Sequence, residues 1–195
     1  MKTGIYSLIL MFASFLTVQA QTKWNLDPAH SKIGFSVTHL VISEVEGDFK
    51  KYEADITSSK EDFSDLAVTL KIDAASINTE NEKRDEHLRA EDFFHTSQYP
   101  EIIFKSKSFK KTGKNKYKLT GDFTMRGVTK QISLDVVHNG TVVDPWGNTK
   151  AGFKLTGKIN RFDYGLKWNN VIEAGGAVVG KEVRFNINIQ IAKSK

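Results

Sequence analysis

"KYKLTGDFTMRGVTKQISLDV", residues 116–136, decides the fold. Tyr117, Leu119, Gly121, Phe123 and Met125 alternate with polar residues, and after Arg126-Gly127 the alternation resumes at Ile132, Leu134 and Val136. A period of two marks a half-buried strand, because successive side chains point to opposite faces of a sheet. Two such runs joined by a short turn make an antiparallel pair with one dry face.

The same pattern continues outward in both directions. Ile33, Phe35 and Val37 carry it upstream, as do Leu66, Val68, Leu70 and Ile72. Downstream it returns at Ala151, Phe153, Leu155, Gly157 and Ile159, and again from Val183 to Ile191. With segments around Trp24 to Leu26, Gly47 to Ile56 and Glu101 to Phe109, about eight or nine strands are predicted. Asn139-Gly140 has the form of a two-residue hairpin turn, which also accounts for the Asn139-Gly140-Thr141 glycosylation pattern, and residues 144–148 read as a longer turn. Such a sheet either closes as a barrel or stacks as a sandwich. The long strands at 116–126 and 149–161 favour the barrel, as do Gly121 and Gly157 at inward positions, since glycine inside a strand marks a bend or a close approach.

One segment breaks the pattern. "EHLRAEDFFHTSQYPEIIFKS", residues 86–106, begins helical and ends as a strand. Thr79 and Glu82 have capping-box spacing, and Glu80 with Arg84 and Asp85 with Arg89 are acid-first pairs, so a helix is predicted over 79–89. Leu88 is its one large apolar residue, followed by Phe93 and Phe94. A helix this polar belongs on the rim of the sheet as a lid, with the two phenylalanines beneath it and Tyr99-Pro100 turning the chain into the next strand.

Lys2, the apolar run from Ile5 to Val18, and the small residues around Ala20 read as a signal peptide over 1–20, leaving 21–195 as one domain, periplasmic or secreted. There are no cysteines, which excludes thiol nucleophiles, thiolate metal sites and disulfides. The net charge of +5 is spread along the strands, densest from Lys105 to Lys118 around a Thr112-Gly113 turn. That run is either a solvated hairpin or a basic lip making transient contact with anionic membrane surfaces. Nucleic acid is a poor partner outside the cytoplasm.

Catalytic patterns fail in turn. Residues 175–181 imitate a phosphate-binding loop, but Glu182 replaces the hydroxyl residue and a strand follows instead of a helix. Asp27, His30 and Ser31 are too close along a turn to form a hydrolytic triad. His30, His39, His87, His95 and His138 form no helical metal pair; the enzymatic alternative is a metal-dependent or hydrolytic enzyme using scattered His and carboxylates, with any metal site assembled from distant strands and joined by Asp92 or Glu91, and tested at His87 or His95. No catalytic residue and no cofactor is assigned.

Four blocks, "WNLDPAHSKIGFSVTHLVISEVEGDF", "SINTENEKRDEHLRAEDFFHTSQYPEIIFKS", "LTGDFTMRGVTKQISLDV" and "INRFDYGLKWN", resemble in order and spacing the YceI-like family of polyisoprenoid-binding proteins. The resemblance implies an all-β fold: an eight-stranded antiparallel lipocalin-like barrel with a short helix at its mouth. It also implies a long-chain isoprenoid or similar amphiphile, a quinone-type isoprenoid included, held in the lumen for transport, storage or scavenging. Leu88, Phe93, Phe94, Tyr99 and Pro100 fall on family blocks, as do residues 102–106 and 161–165.

Inward parity independently supplies an apolar lining of Phe35, Val37, Leu70, Ile72, Phe104, Phe123, Leu134, Val136, Phe153 and Phe185, to which the lid adds Leu88, Phe93 and Phe94. A ten-carbon chain buried there gains roughly 8 kcal/mol before ordering costs, at about 0.8 kcal/mol per methylene. His39, inward at a strand end, either bonds backbone or meets a ligand's polar end; His87 and Arg84 are placed beside it at the mouth. The readings that compete are a ligand-free structural barrel and the enzyme. An edge left by incomplete closure would pair two barrels into a homodimer.

Overall fold

The structure is a computed structural model and describes residues 21–172 and 176–194. The expected signal peptide and Gly175 of the glycine-rich loop lie outside the described residues.

Among the described residues the alternation resolves into a barrel of eight antiparallel strands, three of them broken. β1 runs Lys23–Leu26, breaks over a 3-10 turn at Pro28–His30 and resumes as Lys32–His39. β2 comprises Ser43–Phe49 and Tyr52–Thr57, and β3 comprises Ala67–Asp73 and Ile77–Asn78. After α1 (Glu82–Arg89) come β4 (Glu101–Gly113), β5 (Lys116–Met125), β6 (Val128–Val143), β7 (Thr149–Asn160) and β8 (Val179–Lys193). Each strand pairs with its predecessor, and β8 returns to β1 through Ile187 against Ile33 and Lys193 against Trp24. The sheet is therefore a closed barrel with one α-helix among the described residues, as expected, and β8 closes it against β1.

Local chemistry sets the breaks and bends. Pro28 cannot donate to a ladder, and there the Asp27 carboxylate is held by His30 Nδ1 at 3.0 Å and Gln190 Nε2 at 2.9 Å. Burial alone would raise the Asp27 carboxyl, but those bonds and the Lys150 charge outweigh it and hold it below the usual range. Ser31 Oγ accepts from Gln190 N at 3.0 Å, so the three residues lock a backbone turn and form no triad. A Cβ on Gly121 would lie 2.4 Å from Lys105 O and 2.5 Å from the Phe104 ring, and one on Gly157 would lie 2.5 Å from Leu134. Both glycines yield space to side chains filling the barrel.

Three boundaries differ from expectation. The helix starts at Glu82, not residue 79, because Asn81 caps it by accepting from Arg84 N at 3.0 Å while Glu80 takes a left-handed φ of 61°. Thr79 turns inward onto Asp85, so neither acid-first pair forms: Arg84 donates to Thr79 O at 2.7 Å and Arg89 to Ala75 O at 2.8 Å. Asn139-Gly140 is no hairpin turn. It is a bulge within β6, where Gly152 opposes Gly140 but Phe153 opposes His138, and the reversal falls at residues 144–148. The lysine-rich hairpin reverses at Lys114-Asn115, since Gly113 pairs with Lys116, and it lies at the end of the barrel away from the helix.

That far end is sealed. Phe63, in the loop after β2, lies 5.1 Å from the rings of both Trp24 and Phe153 and 5.2 Å from His138. Asp65 ties the loop by accepting from Ser58 Oγ at 2.6 Å and Ser59 N at 2.9 Å, while Tyr117 donates its hydroxyl to Asp62 O at 2.7 Å.

Candidate functional site

Between this seal and the helix the barrel holds an apolar lumen of about 190 Å³. Every strand contributes to it: Phe35 and Val37 from β1, Leu70 and Ile72 from β3, Phe104 from β4, Phe123 from β5, Leu134 and Val136 from β6, Phe153 from β7 and Phe185 from β8. Phe49 and Ile56 line it from β2. Leu88, Phe93 and Phe94 reach it from the lid, so the structure gathers thirteen of the fourteen sequence-assigned site residues around one space. His39 is the exception: it pairs opposite Val179 at the end of β1 and does not line the lumen. Ile33, Leu119, Leu155 and Ile187, on the same dry faces but not assigned as lining from the sequence, line it as well. For comparison, apolar cavities of about 150 Å³ stay dry and take up small hydrocarbons.

The lid is joined to the barrel through arginines. Arg89 donates to Ala75 O and to Ile77 O, and Arg126 donates to Glu91 O at 3.0 Å and to Phe93 O. Arg84 donates to Thr79 O and, at 2.7 Å, to Thr79 Oγ1. Below them Asp85, only 4% exposed, accepts from Thr79 N at 2.9 Å and Thr79 Oγ1 at 2.5 Å. This buried carboxylate is what the capping-box reading missed. Aromatic rings complete the cover: Phe93 lies 5.3 Å from Trp168 and 5.0 Å from His87, and Phe94 lies 5.9 Å from Phe49. His87 thus packs into the cover, with Nε2 3.4 Å from Asp92, and does not line the lumen.

Among the described residues, Arg161 is the one charged residue in the lumen wall, at 2% exposure. Its guanidinium is turned to backbone: Nε donates to Gly180 O at 2.9 Å, and the terminal nitrogens to Leu166 O at 2.6 Å, Trp168 O at 2.8 Å and Val179 O at 3.1 Å. Four carbonyls solvate the cation, and burial lowers its pKa without removing its charge. Arg161 therefore clasps the loop after β7 to β8. Beside it the buried Tyr164 hydroxyl is pushed up to about 12 by burial and then by Asp163. Among the described residues, no three His, Asp or Glu side chains gather as a metal site.

The turn between β1 and β2 stands at this same end, where Leu40 N donates to Val178 O. Leu40 and Val41 both take left-handed φ, 50° and 67°, and Ile42 is 88% exposed.

A family profile described as a YceI-like domain matches residues 24–191. A UPF0312 protein of Staphylococcus aureus (strain N315) is 37% identical over 175 residues, covering 89% of this chain and 99% of that protein. A Campylobacter jejuni YceI protein has the same fold at TM-score 0.70 and 35% identity, over 81% of this chain and 90% of that one. A polyisoprenoid-binding domain from Saccharophagus degradans, 17% identical with TM-score 0.60 over 88% and 98% of the two chains, shares the architecture.

Proposed function

The chain belongs to the YceI-like family, and from that premise we propose that it is an exported, non-catalytic lipid-binding protein holding a polyisoprenoid or similar long-chain amphiphile in its lumen for transport, storage or scavenging. One observation carries this reading: the lumen presents a continuous hydrocarbon surface from the far-end seal to the lid, and Arg161, the one charged wall residue among those described, has its donors engaged by carbonyls. Such a site binds by apolar area and offers a polar head group nothing inside. The chain of the ligand lies in the barrel and its head at the mouth, by the lid. The Saccharophagus degradans domain, named for polyisoprenoid binding, supports the ligand class, and the apolar run before Ala20 supports export.

A chain of many isoprene units exceeds the ligand-free cavity, so loading displaces Phe93 and Phe94. The test is titration of detergent-free protein with a fluorescent polyprenol, against Leu70→Trp, which fills the lumen. Saturable binding lost in the variant supports the reading; equal signal from both proteins contradicts it.

A further inference from the structure

The far end of the barrel carries a second surface that lumen binding does not use. β6 pairs with β5 only as far as Val137 against Lys116, but with β7 as far as Val143 against Thr149. The β6–β7 hairpin therefore runs on past its neighbour. Its tip exposes Val142 at 65%, Val143 at 67% and Trp146 at 79%. The turn is rigid: Asp144 accepts from Trp146 N at 3.0 Å and Asn148 N at 2.8 Å, Asp144 N donates to Asn148 O at 2.9 Å, and Gly147 supplies the left-handed φ of 81°. The indole is held in water by its own backbone.

Beside it stands the β4–β5 hairpin, stitched across by His138 N donating to Asn115 O at 2.9 Å. Lys110, Lys111, Lys114 and Lys116 are exposed there. Of the acids at this end, Asp135 pairs with Lys118 at 2.6 Å, Asp144 with Lys150 at 3.6 Å, and Asp62 lies near Lys111 and Lys60, with Glu61 next to it. Among the described residues, Lys110, Lys114 and Lys116 have no carboxylate within 4.0 Å.

We propose that this end of the protein docks on an anionic lipid bilayer, with Trp146, Val142 and Val143 entering the interfacial layer and Lys110, Lys114 and Lys116 meeting its head groups. Charge complementarity selects a bilayer, and indole rings settle at that depth while lysines near an anionic surface add attraction. The shape agrees. Three apolar side chains on a convex tip fall short of the roughly 800 Å² per partner that a stable protein interface buries, whereas insertion into lipid needs no complementary surface. Docked this way, the barrel stands with its sealed end down and its lid toward water.

The experiment is co-sedimentation of the folded protein with vesicles of phosphatidylcholine alone or mixed with phosphatidylglycerol, with tryptophan quenching by brominated lipid as a second readout. The proposal expects binding to anionic vesicles only, weakened about fivefold per lysine in Lys114→Gln and Lys116→Gln and at least about tenfold in Trp146→Ala, with quenching abolished by the last. All three positions are exposed, so the variants keep the fold. Binding that survives these substitutions, or no binding, overturns it. So does loss confined to Ile42→Ser, which would put the lid end on the membrane, or self-association in solution that Trp146→Ala removes, which would assign the tip to a second copy. Lumen loading with a polyprenol is unaffected by Trp146→Ala, so the two readings fail separately.

Discussion

The two ends of the barrel are closed by different physics. At the far end Trp24, Phe63, His138 and Phe153 pack ring against ring, and Trp24 Nε1 and the Tyr117 hydroxyl reach the carbonyls of Ser58 and Asp62. At the lid end α1 and its loop are fastened by Arg84, Arg89 and Arg126 to backbone carbonyls, and by Asp85 to Thr79. Tight apolar packing gives way only with the core around it. Hydrogen bonds to a surface segment can be exchanged for water while the strands stay paired. A barrel built this way has one end that stays shut and one that can release.

The strongest attack on this contrast is Phe63→Ala. Deleting a fully buried ring at the seal costs about 3–5 kcal/mol, which lowers Tm on the order of 10 °C in a chain of this size. Thermal unfolding measures it, and a loss under about 1 kcal/mol would show the far end to be loosely packed after all.

Asp85→Ala leaves the Thr79 amide and hydroxyl without their buried acceptor, at a cost of roughly 2–3 kcal/mol. The loss should be local: hydrogen exchange rises across residues 79–95 while β5 to β8 stay protected. Exchange rising equally in those strands would make the lid part of the global unfolding unit and erase the distinction.

Phe93→Ala probes the cover from the ligand's side. Thinning the cover should speed dissociation of a bound polyprenol about tenfold, a change of roughly 1.4 kcal/mol in the barrier, with a smaller Tm shift than Phe63→Ala. Stopped-flow transfer to acceptor vesicles reads the rate; an unchanged rate would mean that the ligand does not leave past Phe93.

The smallest effect is a pH dependence belonging to the sealed end. Burial between Phe63 and Phe153 pushes the His138 pKa below its ordinary 6.5, outweighing the opposing backbone bond at Gly140. The unfolded chain therefore takes up a proton near pH 6.5 that the folded one refuses. Stability is full above that pH and declines as pH falls toward the folded-state pKa. His138→Phe should flatten this part of a denaturation profile taken against pH; an identical slope would place the titrating group elsewhere.

Much of this was legible because strand parity is a strong local signal. The inward positions of β5 and β6 follow from alternation alone, and the ten strand residues assigned by parity meet in one lumen for that reason. Parity says less at strand ends, where His39 follows Val37 in register yet lies outside the lining. Asn139-Gly140 misled because a favoured turn dipeptide also suits a bulge, and only pairing with β7 distinguishes them. The fasteners of the lid were hidden altogether. Arg84, Arg89, Arg126 and Arg161 act on carbonyls, which every residue possesses, so no side-chain pattern announces them.

We propose that the lumen takes a long apolar chain beneath a releasable cover. Native mass spectrometry of the protein purified without detergent from its own source tests it most directly. The expected result is an adduct that fragments as a polyprenyl or similar long chain, retained by the unaltered protein and depleted in Phe93→Ala. A bare protein mass that polyprenols, quinones and fatty acids all fail to shift would contradict it.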